Sequence, residues 1–215
     1  MTWLSEWLEK YHGGPVQRYK AEMEPFERAV LRAARRQLLA DLNGRVLEVG
    51  CGLGQNFPFY PMPVEVVALE PFRPFRVEAD NQAAQARARI FVGEADAHDC
   101  PFADQTFDGY VASLVFCSLA HPERALQEAA RTLKAGSKLR LLEHVGADNR
   151  TQAFLQRLAN PAWQVFDGAG CRLGQDTLGL VRQAGFVIER TTKLHLSGPI
   201  GFFFPTIAIY AHKPG

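Results

Sequence analysis

In Leu47–Phe57, LEVGCGLGQNF, an apolar run carrying Glu48 passes into three glycines on alternate positions, Gly50, Gly52 and Gly54. Glycine there removes the side chains that would hold a ligand off the backbone, and it permits positive φ. Tight turns also need glycine, so the pattern alone is weak. A dinucleotide fingerprint wants Gly-x-Gly-x-x-Gly, whereas the sixth position counted from Gly50 is Gln55. The pattern here is Glu-x-Gly-x-Gly-x-Gly. Glu70 closes the next apolar run, VVALEP, twenty-two residues after Glu48. A carboxylate in that place can accept both hydroxyls of a ribose; its plainer use is as a charge at the start of a helix following Pro71. Together the two motifs favour a nucleoside ligand.

Such residues need a frame, and the chain supplies an alternation. Strands are expected at Val46–Val49, Val64–Leu69, Ile90–Val92, Gly109–Leu114 and Lys138–Glu143. Helices are expected between them, near Asn56–Tyr60, Arg73–Ala86 and Pro122–Leu133. Strands alternating with helices imply a parallel sheet covered on both faces, with a ligand crevice at its carboxyl edge. Before this core, Trp3, Leu4, Trp7, Leu8 and Tyr11 recur at helical spacing. Gly13-Gly14-Pro15 should stop that helix, which could pack on the domain, cover a ligand or touch a membrane surface. A second helix should open at Pro25, run to about Leu42 and end at Asn43-Gly44. After Glu143 the rhythm changes to a helix around Thr151–Leu158, the loop ANPAWQVFDGAGCRLG, a helix near Gln175–Ala184 and two strands, Phe186–Leu196 and Phe204–His212. The connection around Ser197–Gly201 is too short for a crossover helix, so the last two strands should pair antiparallel.

Composition narrows the partners. The 215 residues are 47% hydrophobic, enough for one well-buried α/β domain and short for two. With a formal charge of +1 and mixed signs throughout, no field exists to collect nucleic acid or anionic membrane. A small-molecule ligand fits better. Cys51, Cys100, Cys117 and Cys171 form no Cys-x-x-Cys pair, which argues against a zinc site or a disulfide framework and for a reducing, cytoplasmic compartment. No stretch reads as a signal peptide or a bilayer span.

From Gly44 to Glu143 these residues resemble, in order, the class I methyltransferases that use S-adenosylmethionine. LEVGCGLG is similar to their first motif and ALEP to their ribose acid. ADAHDCPFADQTFD is similar to a stretch of the quinone-methylase branch, with Ala95 in place of its glycine. VASLVFCSLAHPERALQEAARTLKAGSKLRLLEHV follows that branch too, with Ser137 replacing a glycine. The resemblance implies a Rossmann-like, doubly wound α/β fold, its seven-stranded sheet ending in an antiparallel strand. It further implies that Glu48 and the Gly50, Gly52 and Gly54 backbone, with Asn56 beside them, cradle the methionine end of the donor. Glu70 and Pro71 would take the ribose, Asp96 and the Ala97 N–H the adenine, and the Ser113 and Leu114 backbone would border the methionine amino group. The product would be S-adenosylhomocysteine. No metal is implied.

A narrower resemblance bears on the acceptor. Gly54–Phe57 with Tyr60-Pro61, LVFCSL at Leu114–Leu119, LEHV at Leu142–Val145 and NPAWQVFDGAGC at Asn160–Cys171 are similar to the small alkyl-thiol S-methyltransferase group. That group's Asp-Pro-Ala-Trp is Asn160-Pro-Ala-Trp here, and Ala169-Gly170 is inserted before Cys171. Animal members carry an N-terminal membrane anchor that this sequence does not show, so a soluble or peripheral protein is implied. Residues 1–43 would then be N-terminal helices, 44–145 the cofactor core, and 146–215 the acceptor-side loop and C-terminal hairpin of a single domain.

Methyl transfer to a thiol is an in-line displacement whose reactive form is the thiolate, so a base or positive field near the acceptor helps. Asp167 is the first candidate to orient or deprotonate the acceptor, His144 the second and His121 a third. Their plainer readings are a turn before Gly168, a core histidine and a helix-start residue. Trp163, Phe166, Phe202, Phe203 and Phe204 could wall an apolar acceptor pocket or belong to the core. Two rivals remain open: N- or O-methylation of a lipid or quinone, and a non-catalytic S-adenosylmethionine-binding protein. A dehydrogenase is weaker, because the third glycine is misplaced.

Overall fold

The computed structural model describes residues 14–167, 171–195 and 198–215, with 165–167 and 199–200 by their backbone. The helix expected over Trp3–Tyr11 lies outside the described residues. The first helix, α1, spans Gly14–Phe26, then a π-turn runs over Glu27–Leu31 and α2 over Arg32–Leu39. Gly14-Pro15 opens α1, since proline is suited to a first turn, where its missing N–H has no partner to lose. Pro25 falls near the end of α1 rather than at a helix start, and the wide turn follows it directly. Among the described residues, no helix is long and apolar enough to cross a membrane.

The sheet comprises β1 (Arg45–Val49), β2 (Glu65–Leu69), β3 (Arg89–Gly93), β4 (Phe107–Ser113), β5 (Leu133–His144), β6 (Val187–Leu194) and β7 (Thr206–His212), ordered β3-β2-β1-β4-β5-β7-β6. β1 to β5 pair parallel, and β7 pairs antiparallel with both β5 and β6. The expected antiparallel last strand is therefore present, slotted between β5 and β6. Apolar side chains cover both faces: Leu47, Val49, Tyr110, Ala112, Leu139 and Leu141 on one and Val46, Val66, Ala68 and Val111 on the other. A strand buried on both faces reads as a continuous apolar run, which is why β1 and β4 were legible.

The helices are α3 (Arg73–Ala83), α4 (Pro122–Thr132), α5 (Arg150–Asp167), α6 (Thr177–Gln183) and α7 (Gly198–Phe203). Two expectations need correction. The helix near Asn56–Tyr60 is a single 3-10 turn, Phe57–Phe59, because Pro58, Pro61 and Pro63 withhold the N–H groups a longer helix would need. The loop expected from Ala159 is helical as far as Asp167, since α5 runs through Pro161 at the cost of one N–H. Strand order reverses between β1 and β4, the switch point where open α/β sheets take ligands.

Candidate active site

The turn after β1 and the turn after β4 flank that switch point. Gly50, Gly52 and Gly54 all adopt positive φ (58°, 57° and 79°). They do so for different reasons. A Cβ on Gly50 would meet the Val115 side chain at 2.7 Å and one on Gly54 the Phe57 ring at 2.6 Å, whereas one on Gly52 would project into open space. Gly52 is thus the position where bare backbone faces the crevice. Glu70, just past β2, reaches across to it: Oε2 accepts the Gly52 N–H and Oε1 the Phe72 N–H, each at 2.9 Å. Burial raises the Glu70 carboxyl, against the pull of those two N–H groups and Arg76. Each oxygen keeps a lone pair for a further donor such as a ribose hydroxyl.

Past β3, Asp96 accepts from the His98 N–H at 2.8 Å and from the His98 ring. Partial burial pushes its carboxyl up, but the two contacts and the charge of His98 hold it below the usual range. Ala97 beside it is buried, and the Nε2 of His98 is buried with no hydrogen-bond partner. An unpaired buried nitrogen in this loop is free to take a hydrogen bond from a ligand or a water. Nothing in the sequence marked His98 out from its neighbours.

Beneath the glycine turn lies a buried polar chain. Arg35 donates through Nε and NH2 to Glu27 (2.7 Å from NH2) and through NH1 to Asn56 Oδ1 at 2.8 Å. The Asn56 amide donates to Glu48 Oε1 at 2.8 Å and to Ser113 Oγ at 3.0 Å, and the Tyr60 hydroxyl donates to Glu48 Oε2 at 2.6 Å. Glu48 therefore supports the turn from below, linked through Asn56 to the end of β4. Burial drives its carboxyl up to about 7, while Tyr60, Asn56 and the Arg35 charge pull the other way. The π-turn makes the first pair possible. Its wide turn absorbs one residue, so that Glu27 and Arg35, eight apart, share a face as residues seven apart would. Tyr19 of α1 packs at a tilt on Phe75 at 5.2 Å, and burial pushes its phenol up against the opposing charge of Arg35.

At the β4 end, Leu114 takes φ +60° and donates its N–H to Leu142 O at 2.7 Å. The fully buried Glu143 accepts the N–H groups of Val115, Phe116 and Cys117 at 3.0, 3.1 and 3.2 Å. One carboxylate thereby shapes the turn carrying Cys117 and anchors it beside His144. Cys171 Sγ lies 3.5 Å from His144 Nδ1, and Cys117, His144 and Cys171 place their ligating atoms within 4.8 Å of one another. Contact with the Cys171 thiol, and then burial, push the Cys117 thiol up. The spacing of the cysteines had argued against such a cluster; the fold assembles it from three distant segments.

The remaining candidates separate. The His144 ring packs on Phe204 at 5.2 Å, and Phe204 packs edge-on to Trp163 at 4.9 Å, so two of the five aromatics meet beside His144. Trp163 Nε1 is buried without a partner. Phe202 is exposed and packs edge-on to Phe203 instead. His121 precedes α4, is exposed and pairs with Glu123 at 3.4 Å, which is the helix-start reading. Asp167 ends α5; its side chain, that of Phe166, and Gly168–Gly170 lie outside the described residues. Beside His144, a cavity of about 630 Å³ lies between β5, α5 and β6, lined by Val145, Gln156, Thr191 and Pro205 among others.

The family described as "Methyltransferase domain" matches residues 47–141. The human thiol S-methyltransferase TMT1A is 32% identical over 172 residues, 78% of this chain and 69% of that protein. Human thiol S-methyltransferase TMT1B is 31% identical over 180 residues, 77% of this chain and 72% of that one. Among solved structures, the geranyl diphosphate C-methyltransferase of Streptomyces coelicolor A3(2), in complex with Mg2+, geranyl diphosphate and S-adenosyl-L-homocysteine, superposes with a TM-score of 0.65 at 13% identity, over 85% of this chain and 79% of that chain. That last likeness is one of fold.

Proposed function

The chain belongs to the methyltransferase family of these relatives, and from that premise we propose that it transfers a methyl group from S-adenosylmethionine to the sulfur of a small thiol. The observation that carries the donor half is the Gly52–Glu70 clasp at the switch point. The crevice fits the donor on its own terms: a backbone cradle that a Cβ would enter at Gly52, a carboxylate with lone pairs to spare at Glu70, and an unpaired buried nitrogen at His98. Bound there, the sulfonium supplies an activated methyl carbon for in-line displacement.

The chain's own residues do the rest. Glu70 and the Gly52 backbone hold the sugar and tail, Asp96, Ala97 and His98 the base, and Ser113 and Leu114 the amino end. The His144–Phe204–Trp163 wall excludes water, which strengthens the field inside and bares the attacking sulfur. His144, at the carboxyl edge, and Asp167, at the end of α5, are proposed to orient the acceptor and take its proton. In a cytoplasmic setting the four cysteines, all free thiols, would stay reduced.

One observation favours a second reading. Phe154 and Leu158 lie one turn apart on α5 and are largely exposed, and the exposed Phe202 of α7 is tied to α5 through the Gln152 amide, which donates to Phe202 O; such a surface suits an acceptor dissolved in a membrane. A competition assay decides: ethanethiol, a quinol and phosphatidylethanolamine vesicles are offered with labelled donor, and products are read by mass. Methyl ethyl sulfide as the main product supports the thiol reading; methylated quinol or lipid with no thioether overturns it.

A further inference from the structure

We propose that Cys117, His144 and Cys171 bind a soft divalent cation, zinc being the fit, whose open fourth position takes the acceptor thiol. This rests on the thiol reading above and adds how the sulfur becomes reactive. Two thiolates and an imidazole are the donor set that zinc prefers. With Zn–S near about 2.3 Å and Zn–N near about 2.0 Å, a tetrahedral edge between sulfur and nitrogen measures about 3.5 Å. The Cys171 Sγ to His144 Nδ1 separation is 3.5 Å, and the three ligating atoms lie within a 4.8 Å spread that small side-chain rotations can close around one ion.

The site is built rather than incidental. Glu143 fixes the Cys117 backbone next to His144, and the Arg172 N–H donates to Cys117 O at 2.8 Å, tying the third ligand's segment to the first's. Arg172 NH2 donates to Ala120 O at 3.2 Å, and the Leu173 N–H to Asn160 Oδ1 at 2.8 Å, pinning the same segment to the β4 turn and to α5. Cys117 and Cys171 are buried, so neither is a surface thiol that gathers metal by chance. Three protein ligands leave one position of a tetrahedron open, the mark of a catalytic rather than a structural zinc. The site lies on the turn that packs against the glycine turn proposed to hold the donor: a Cβ on Gly50 would meet the side chain of Val115, two residues before Cys117, at 2.7 Å.

The step balances. The acceptor thiol binds the cation through sulfur and gives up its S–H proton, which leaves to solvent, because a metal-bound thiol is deprotonated. A sulfur lone pair then forms the new S–CH3 bond as the donor's sulfonium C–S bond breaks, its electron pair remaining on the sulfur of S-adenosylhomocysteine. The neutral thioether is a poor ligand and departs. In this scheme His144 is a ligand, so the proton-taking role given to it above passes to the cation and solvent, and Asp167 is left to orient the acceptor.

The test is a cobalt titration of the reduced full chain under anaerobic conditions. The expected result is one cobalt per chain with a sulfur-to-cobalt charge-transfer band, lost in Cys117→Ser and in Cys171→Ser and retained in Cys100→Ser. Circular dichroism establishes that each variant is folded, and a folded His144→Gln that loses tetrahedral visible bands gives a second route should a serine variant fail to fold. A folded wild-type chain with no charge-transfer band overturns the site. Thiol methylation undiminished after chelation overturns the metal's role and leaves the thiol reading intact. If the cobalt band forms but the metal-loaded chain methylates no thiol, the thiol reading fails and the activating role fails with it.

Discussion

Glu70 Oε2 accepts the Gly52 N–H at 2.9 Å, so the acid after the second strand and the middle glycine of the first turn form one unit. The clasp fixes the backbone that a ligand must lie against while leaving room above Gly52, where a Cβ would meet nothing within 4 Å. Gly52→Ala should therefore cost about 1–2 kcal/mol of stability through its positive φ alone, and should weaken donor binding by more than that strain. Gly54→Ala, whose methyl would enter the Phe57 ring, should lose more stability than Gly52→Ala. Urea unfolding beside donor calorimetry on both variants checks the ordering.

Acidity gives an unusual sign at Glu48. Its folded pKa of about 7 lies above its ordinary 4.5, so between those values the folded chain holds a proton that the unfolded chain has lost. The contribution is fully present below pH 4.5 and lost as pH rises through 7, on the order of 3 kcal/mol at most. Carboxyls held low, such as Asp108 and Glu128, act oppositely at lower pH. Glu48→Gln should flatten the fall in unfolding free energy between pH 5 and 7.5, read by urea titration at each pH.

Arg35 is the hinge of the buried chain from Glu27 to Asn56. Arg35→Met should destabilise by roughly 3–5 kcal/mol, because it strands a buried carboxylate. The double variant Glu27→Gln with Arg35→Met should recover part of the loss. Equal loss in single and double variants, measured by denaturant unfolding, would contradict a paired role.

Phe204 touches both His144 and Trp163. Phe204→Ala should raise the acceptor KM about tenfold, the value of roughly 1.4 kcal/mol of lost apolar contact, and leave the donor dissociation constant unchanged. Steady-state kinetics with ethanethiol, paired with calorimetry, separates the two.

How much of this was legible followed from range. The strands, the glycine turn and the acid after β2 are local patterns, and each fell within a few residues of its observed bounds. Elements not fixed by local sequence were not legible: α5 continues through Pro161, although proline withholds one N–H from the helix. The Arg35–Asn56 bond joins residues 21 apart, and Cys117, His144 and Cys171 meet only after β4, β5 and the segment beyond α5 converge. A search for Cys-x-x-Cys spacing looks along the chain, while these thiols approach across it.

The most direct test of the donor site is the affinity of Glu70→Ala for S-adenosylhomocysteine by calorimetry. Removing a charged acceptor of ribose hydroxyls costs about 1.5–3 kcal/mol, so binding should weaken about 10- to 100-fold with folding intact. An unchanged dissociation constant in a folded Glu70→Ala chain would contradict the account.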